Sequence, residues 1–260
     1  MLAIWLSTGR RGSIDEWSVM TITLRPPTKG AAMNSARKSA LYGGLFYLLS
    51  FVSIPTLALY GVVRGPNFIV GPGPDTPAVL GVFLELIVAL AGIGSAVALY
   101  PVLKRVGEKR ALGFVATRTL EGSIIYVGIV SLMSLVTLRQ AGAGAGALAT
   151  GHALAAQYYW TFQLGQSFMP AVNGLLIGTL LYQSRLVPRW LPTLGLIGSA
   201  LLAISTIGTA FGIWGSLAPM MPILGIPIAV WEFALGIYLT FWGFKPSPIT
   251  AGMDDTMAHQ

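Results

Sequence analysis

The sequence predicts an all-α integral membrane bundle of six transmembrane helices with both termini in the cytoplasm. Three observations carry that expectation. Only 10% of the 260 residues are charged and 54% are hydrophobic, whereas about a quarter of a soluble domain is charged. Mean hydropathy is +0.72, and several apolar stretches reach the roughly 20 residues a helix needs to cross a ~30 Å hydrocarbon core. The 16 basic residues fall mostly in alternating connections between those stretches, and Lys and Arg favour the cytoplasmic side. A membrane β-barrel would show alternating segments of ~10 residues instead.

The spans are read at about 40–63, 78–103, 112–136, 160–182, 191–214 and 219–244. The first ends before "RGPNFIVGPGPDTP" at 64–77, where prolines cannot continue a helix. The second and third are separated by the charged "KRVGEKR" at 104–110, and the fourth and fifth by "SRLVPRWLP" at 184–192. With the N-terminus inside, the basic residues 10, 11, 25, 29, 37, 38, 104, 105, 109, 110, 185, 189 and 245 are all cytoplasmic. Arg64 and Arg139 lie outside, and Arg118 alone lies within a span. This bias accounts for the net charge of +7 without nucleic acid. The partner it implies is the anionic headgroup layer at the cytoplasmic face.

Three regions flank the spans. Residues 1–32 form an N-terminal extension with an apolar start too short for a signal-peptide core, read as flexible or lying on the surface. Residues 33–245 form the transmembrane domain, and 246–260 a short cytoplasmic tail. The third connection, about 138–159, contains the low-complexity run "AGAGAGALATGHALAAQ" and is read as flexible. "HALAAQYYWTF" then reads as a helix on the outer surface, with Tyr158, Tyr159 and Trp160 as an interfacial aromatic belt.

Chemistry is concentrated in a few polar residues. Ionised side chains within spans cost a few kcal/mol each, so they face the bundle interior and pair. Glu85, Arg118, Glu121 and Glu232 are the acids and bases deep in the spans. At 1.5 Å per residue, the depths predict one layer near the midplane. Arg118 and Glu121 are three residues apart on one helix face. One Arg cannot neutralise three carboxylates, so at least one Glu is expected to hold a proton or a cation. The fourth span adds Gln166, Pro170 and Asn173, where a proline kink and an amide can help hold a ligand or simply bridge helices. The structural alternative is a buried network that fixes helix register, or an Arg118 that snorkels to the cytoplasmic edge.

Several classes are excluded. There is no cysteine, hence no thiolate nucleophile and no Cys-ligated metal. His152 and His259 both lie outside the spans, which argues against a multi-His metal site or His-ligated haem. No span holds a lysine for a retinal Schiff base, and no Walker-type motif occurs. No cofactor is expected, and catalysis is the least favoured class.

"ARKSALYGGLFYLLSFVSIPTLALY", "FLELIVALAGIGSAVALYPVLKR", "TRTLEGSIIYVGIVSLMSL", "QSFMPAVNGLLIGTLLYQSRLVPRWLPTLGLIG" and "WEFALGIYLTFWGF" together resemble a bacterial group of six-span membrane proteins, the domain of unknown function numbered 4386. The resemblance covers about residues 34–245. It implies a multi-pass protein of the bacterial inner membrane, and supplies no activity or site residues. The expected function is a small transporter or a binder of a small molecule or cation that uses Glu85, Arg118, Glu121, Glu232 and Asn173. The alternative is a structural or accessory subunit, as a homo-oligomer or within a membrane complex.

Overall fold

The computed structural model describes residues 33–61, 63, 65, 67–71, 74–214, 221–251 and 253. The expected N-terminal extension, residues 1–32, lies outside them, as does Arg64. All regular secondary structure among the described residues is helical, without a strand. The helices are α1 (Ser35–Ser50), α2 (Thr56–Leu59), α3 (Thr76–Gln140), α4 (Leu148–Phe162), α5 (Met169–Ser184), α6 (Trp190–Ala210) and α7 (Met221–Phe241). Among the described residues, five helical stretches are long and apolar enough to cross a membrane.

The expected break at 104–110 is present but narrower than the charged stretch. Helical geometry continues through it, broken at Gly107 alone, where the backbone is extended (φ −172°, ψ 95°). Lys, Arg and Glu are good helix formers, so the helices on either side run up to the turn itself. A straight helix of 65 residues would be about 98 Å long. Yet Arg139 pairs with Asp75, and Gln140 Nε2 donates to Asp75 Oδ2 at 3.0 Å. The element therefore doubles back at Gly107 as an antiparallel hairpin, with arms at 76–106 and 108–140.

The expected flexible connection at 138–159 is also shorter. The chain turns through Gly142 and Gly144, both at positive φ, and is helical again from Leu148. Instead of a separate surface helix, α4 leads directly through a π-helical turn, Gln163–Phe168, into α5. That turn stops just before Pro170, which lacks an N–H and whose ring would press on the carbonyl four residues back, Gln166. Widening the helix there relieves the conflict.

Contacts close into a ring. α1 packs on α3 and α7, α7 on α6, α6 on α5, and α5 on α3, with α4 against α3. Apolar helices gain nothing from leaving lipid unless they pack closely, so small residues mark the crossings. A Cβ on Gly44 of α1 would lie 2.7 Å from Thr240 N and 2.8 Å from Gly236 O of α7. On α6, a Cβ at Gly198 would lie 2.6 Å from Ile228 N.

Two apolar clusters fill the interior. One gathers Tyr47, Leu99, Leu103, Phe114, Ile177 and Trp231. The other gathers Tyr60, Val82, Ile125, Leu132, Leu135 and Tyr158. Arg118 and Glu121 lie between Phe114 and Ile125 on the second arm of α3, at the seam between the clusters.

The end of the bundle that holds Gly107 is tied together by arginine. Arg37, at the start of α1, donates to Leu239 O and Thr240 O at the end of α7 (2.9 and 2.6 Å), which satisfies terminal carbonyls and opposes the helix dipole. The chain leaves α7 at Gly243 (φ +74°). Lys245 N then donates to Leu186 O at 2.8 Å, and Arg105 donates to Ile249 O and Ala251 O. The start of the expected tail therefore lies against the bundle, with Met253 buried.

Candidate functional site

The second arm of α3 supplies the centre of the site. Arg118 and Glu121 are three residues apart, and both are buried. Arg118 Nη1 donates to both Glu121 oxygens, at 3.1 and 3.0 Å. Nη2 donates to Glu232 Oε1 on α7 at 2.8 Å. The planar fork of a guanidinium suits this double engagement, which an ammonium cannot reproduce. Tyr47 of α1 and Phe114 of α3 present their rings to the guanidinium carbon, with centroids at 5.3 and 5.7 Å, adding cation–π attraction in a desolvated setting.

The fourth element of the network is Asn173 on α5. Its Nδ2 donates to Glu121 Oε2, while its Oδ1 accepts from the Thr117 hydroxyl. The π-helical turn and Pro170 come just before it and set the rotation at which α5 presents the amide. One ionic network thus joins α1, α3, α5 and α7. Arg118 does not snorkel: its stem lies against Gly92 of the first arm, where a Cβ would be 3.8 Å from Arg118 Cδ. Two buried donors in this region, Arg118 Nε and Tyr47 Oη, have no hydrogen-bond partner among the described residues.

Glu85 is not part of this network. Gly92, which meets Arg118, lies seven residues beyond Glu85 on the same arm, about 10 Å along the axis. Glu85 is 1% exposed and sits within the second apolar cluster. Its Oε1 accepts from Tyr158 Oη of α4 at 2.8 Å and from Gln166 Nε2 of the π-helical turn at 3.0 Å. The expected single layer of four ionisable residues is therefore two sites: Arg118, Glu121, Glu232 and Asn173 in one, Glu85 in the other. Edges of spans read from sequence are uncertain by a few residues, and each residue of error moves a depth by 1.5 Å.

Sequence reasoning missed three tyrosines and a threonine. Tyr158 was expected in an interfacial belt, but it is buried and bonded to Glu85. Tyr60 packs edge-on to Tyr158, with ring centroids 5.3 Å apart. Tyr47 and Thr117 complete the Arg118 network. A tyrosine inside an apolar run is a usable signal, because its hydroxyl needs a partner there. Among the described residues, no group of three or more His, Asp or Glu side chains is arranged to hold a metal ion.

Residues 42–243 match a protein family described as a domain of unknown function (DUF4386). No curated protein matches the chain, and no solved structure does.

Proposed function

We propose that this chain, which belongs to the DUF4386 family, is a six-pass membrane protein whose Arg118 network binds one proton or one monovalent cation, as a small transporter or cation-binding protein would. The six-pass reading rests on two features. The hairpin at Gly107 makes two crossings of α3, and Arg37 of α1 touches the end of α7, so α1 begins and α7 finishes at one end of the bundle. That end carries Lys104, Arg105, Lys109, Arg110, Arg185, Arg189 and Lys245, and it is the cytoplasmic end on the positive-inside rule. A bacterial inner membrane is the setting that the resemblance implies.

The observation that carries the binding reading is a charge imbalance. One guanidinium serves two carboxylates, from α3 and α7. With both ionised, the network keeps one uncompensated negative charge in a largely buried setting, which is costly. A proton or a small cation removes it. Because the carboxylates come from helices at opposite sides of the α1 packing, occupancy would report on how α3 and α7 sit together. A structural subunit is the second reading, favoured by the number of helices that the network locks.

The test is thermal unfolding of the purified protein in lipid nanodiscs, across pH and across sodium, potassium and choline chloride. A ligand that binds the folded state alone raises the midpoint with its concentration. If the ligand is a proton, the folded state binds more protons than the unfolded, and stability falls as pH rises. Glu232→Gln removes the surplus charge and should flatten whichever dependence is found. A wild-type midpoint that is insensitive to pH and to both cations would leave the structural reading.

A further inference from the structure

Glu85 has the surroundings of a neutral acid. No Arg, Lys or His is paired with it among the described residues, although it is 1% exposed. The ion pairs on α3 are remote: Asp75–Arg139 lies ten residues before it, about 15 Å along the arm, and Arg118 meets that arm about 10 Å after it. Besides Glu85, the titratable groups at the site are Tyr158 of α4 and Tyr60, which follows α2. His152 lies six residues before Tyr158 on α4, about 9 Å away along that helix. It lines a small apolar cavity with Val63, Phe68, Ile69 and Leu135, a cavity that Glu85 does not line.

The hydrogen bonding of the carboxyl is lopsided. Oε1 accepts twice, from Tyr158 and Gln166. Oε2 is buried and has no partner. Tyr60 Oη is buried and has no partner either. The Tyr60 ring covers Gly81, one turn before Glu85, so closely that a Cβ there would lie 2.8 Å from Oη. That contact sets the hydroxyl beside the carboxyl. Buried polar atoms without partners are rare in native proteins and call for an explanation. The Tyr60 hydroxyl can serve Oε2 either as donor to a carboxylate or as acceptor from the acid; with no cation paired at the site, the acid is the form that buries no charge, and its O–H then donates to Tyr60 Oη.

We propose that Glu85, Tyr60, Tyr158 and Gln166 form a second site, separate from the Arg118 network, which holds one proton as the carboxylic acid of Glu85. Oε1 is the acceptor for two fixed donors, and Oε2–H is the donor to Tyr60. Losing the proton would leave a carboxylate with neutral donors alone, Tyr158, Gln166 and Tyr60, and no cation. Release therefore requires the site to open, and the element placed to do so is the π-helical turn that carries Gln166. Such turns are frequent where helices adjust at functional sites.

Infrared spectroscopy of the protein in nanodiscs at neutral pH tests this. The wild type should show the C=O stretch of a protonated carboxyl that is absent from Glu85→Gln, and Glu232→Gln should retain it. Tyr60→Phe removes the acceptor and should shift that band upward in frequency while leaving it present. The amide of Glu85→Gln offers the same acceptor and donor as the acid, so this variant should fold with an unchanged thermal midpoint. If it does not fold, the Tyr60→Phe shift still decides. Carboxylate bands that are present in the wild type and lost in Glu85→Gln would overturn the proposal, because Glu85 would be ionised. A wild-type midpoint raised by sodium or potassium and insensitive in Glu85→Gln would overturn it too, in favour of a bound cation. A band lost in Glu232→Gln instead would assign the proton to the Arg118 network.

Discussion

Replacing Arg118 by leucine should be among the most damaging single changes in the bundle. The guanidinium makes three charge-assisted hydrogen bonds, two to Glu121 and one to Glu232. Its removal strands two carboxylates of like sign. Breaking a buried ion pair from one side costs about 3–5 kcal/mol. The Glu232 side chain is 17% exposed and Glu121 keeps its bond from Asn173, so the lower part of that range applies, about 3–4 kcal/mol. Arg118→Lys keeps the charge but not the fork, and loses about one charge-assisted hydrogen bond, near 2 kcal/mol. For a chain of this size each kcal/mol moves the unfolding midpoint by about 2–4 °C. Leucine should then lower it by roughly 6–16 °C and lysine by roughly 4–8 °C. Adding Glu121→Gln to Arg118→Leu should restore at least about 1 kcal/mol, since neighbouring sites couple by that order. Thermal unfolding of the four proteins in nanodiscs reads all of this. A leucine variant as stable as the wild type, or a double variant no better than Arg118→Leu, would refute the view that these carboxylates depend on the Arg.

Helix crossings and topology give two further expectations. Gly44→Ala drives a methyl against the α7 backbone, at 2.7 Å from Thr240 N, and should cost about 1–3 kcal/mol; Gly113→Ala meets nothing closer than 3.7 Å and should leave the midpoint unchanged or raised, so equal losses would refute the close-crossing account. The chain has no cysteine, so Lys109→Cys and Gly146→Cys each introduce a single thiol; an impermeant thiol reagent applied to intact cells should label position 146 and not 109, and labelling at 109 would break the six-pass topology.

Hydropathy made the helical class legible, because a span needs only enough consecutive apolar residues. The width of the breaks was not legible. At 104–110 charge marked the turn, yet Lys, Arg and Glu carry helix up to Gly107 on both sides. At 138–159 the Ala/Gly run looked flexible and the helix after it looked surface-lying, yet Ala favours helix and the segment from Leu148 continues into α5. The pairing of Arg118 with Glu121 followed from their spacing. The share taken by Glu232, and the separation of Glu85, depend on how far each helix slides along its neighbour, which span edges do not specify. Tyr60 and Tyr158 were overlooked because tyrosine near a span end reads first as an interfacial anchor, and only tertiary contact shows a hydroxyl turned inward.

The Gly107 hairpin also has a meaning for how the protein is made. Its two arms share a turn too short to leave either one behind, so they should enter the bilayer together. Arg118 arrives with that hairpin, and centring an Arg in a nascent span costs about 2.5–3.5 kcal/mol. Glu232 is 114 residues further along the chain, about 6–23 s later at ribosomal speeds of about 5–20 residues per second. During that interval Glu121 is the one acidic residue of the network already present, three residues away on the same helix. On the proposed topology Glu121 would thus act as a chaperone in cis for the arginine, and the α7 carboxylate would join a charge that is already escorted.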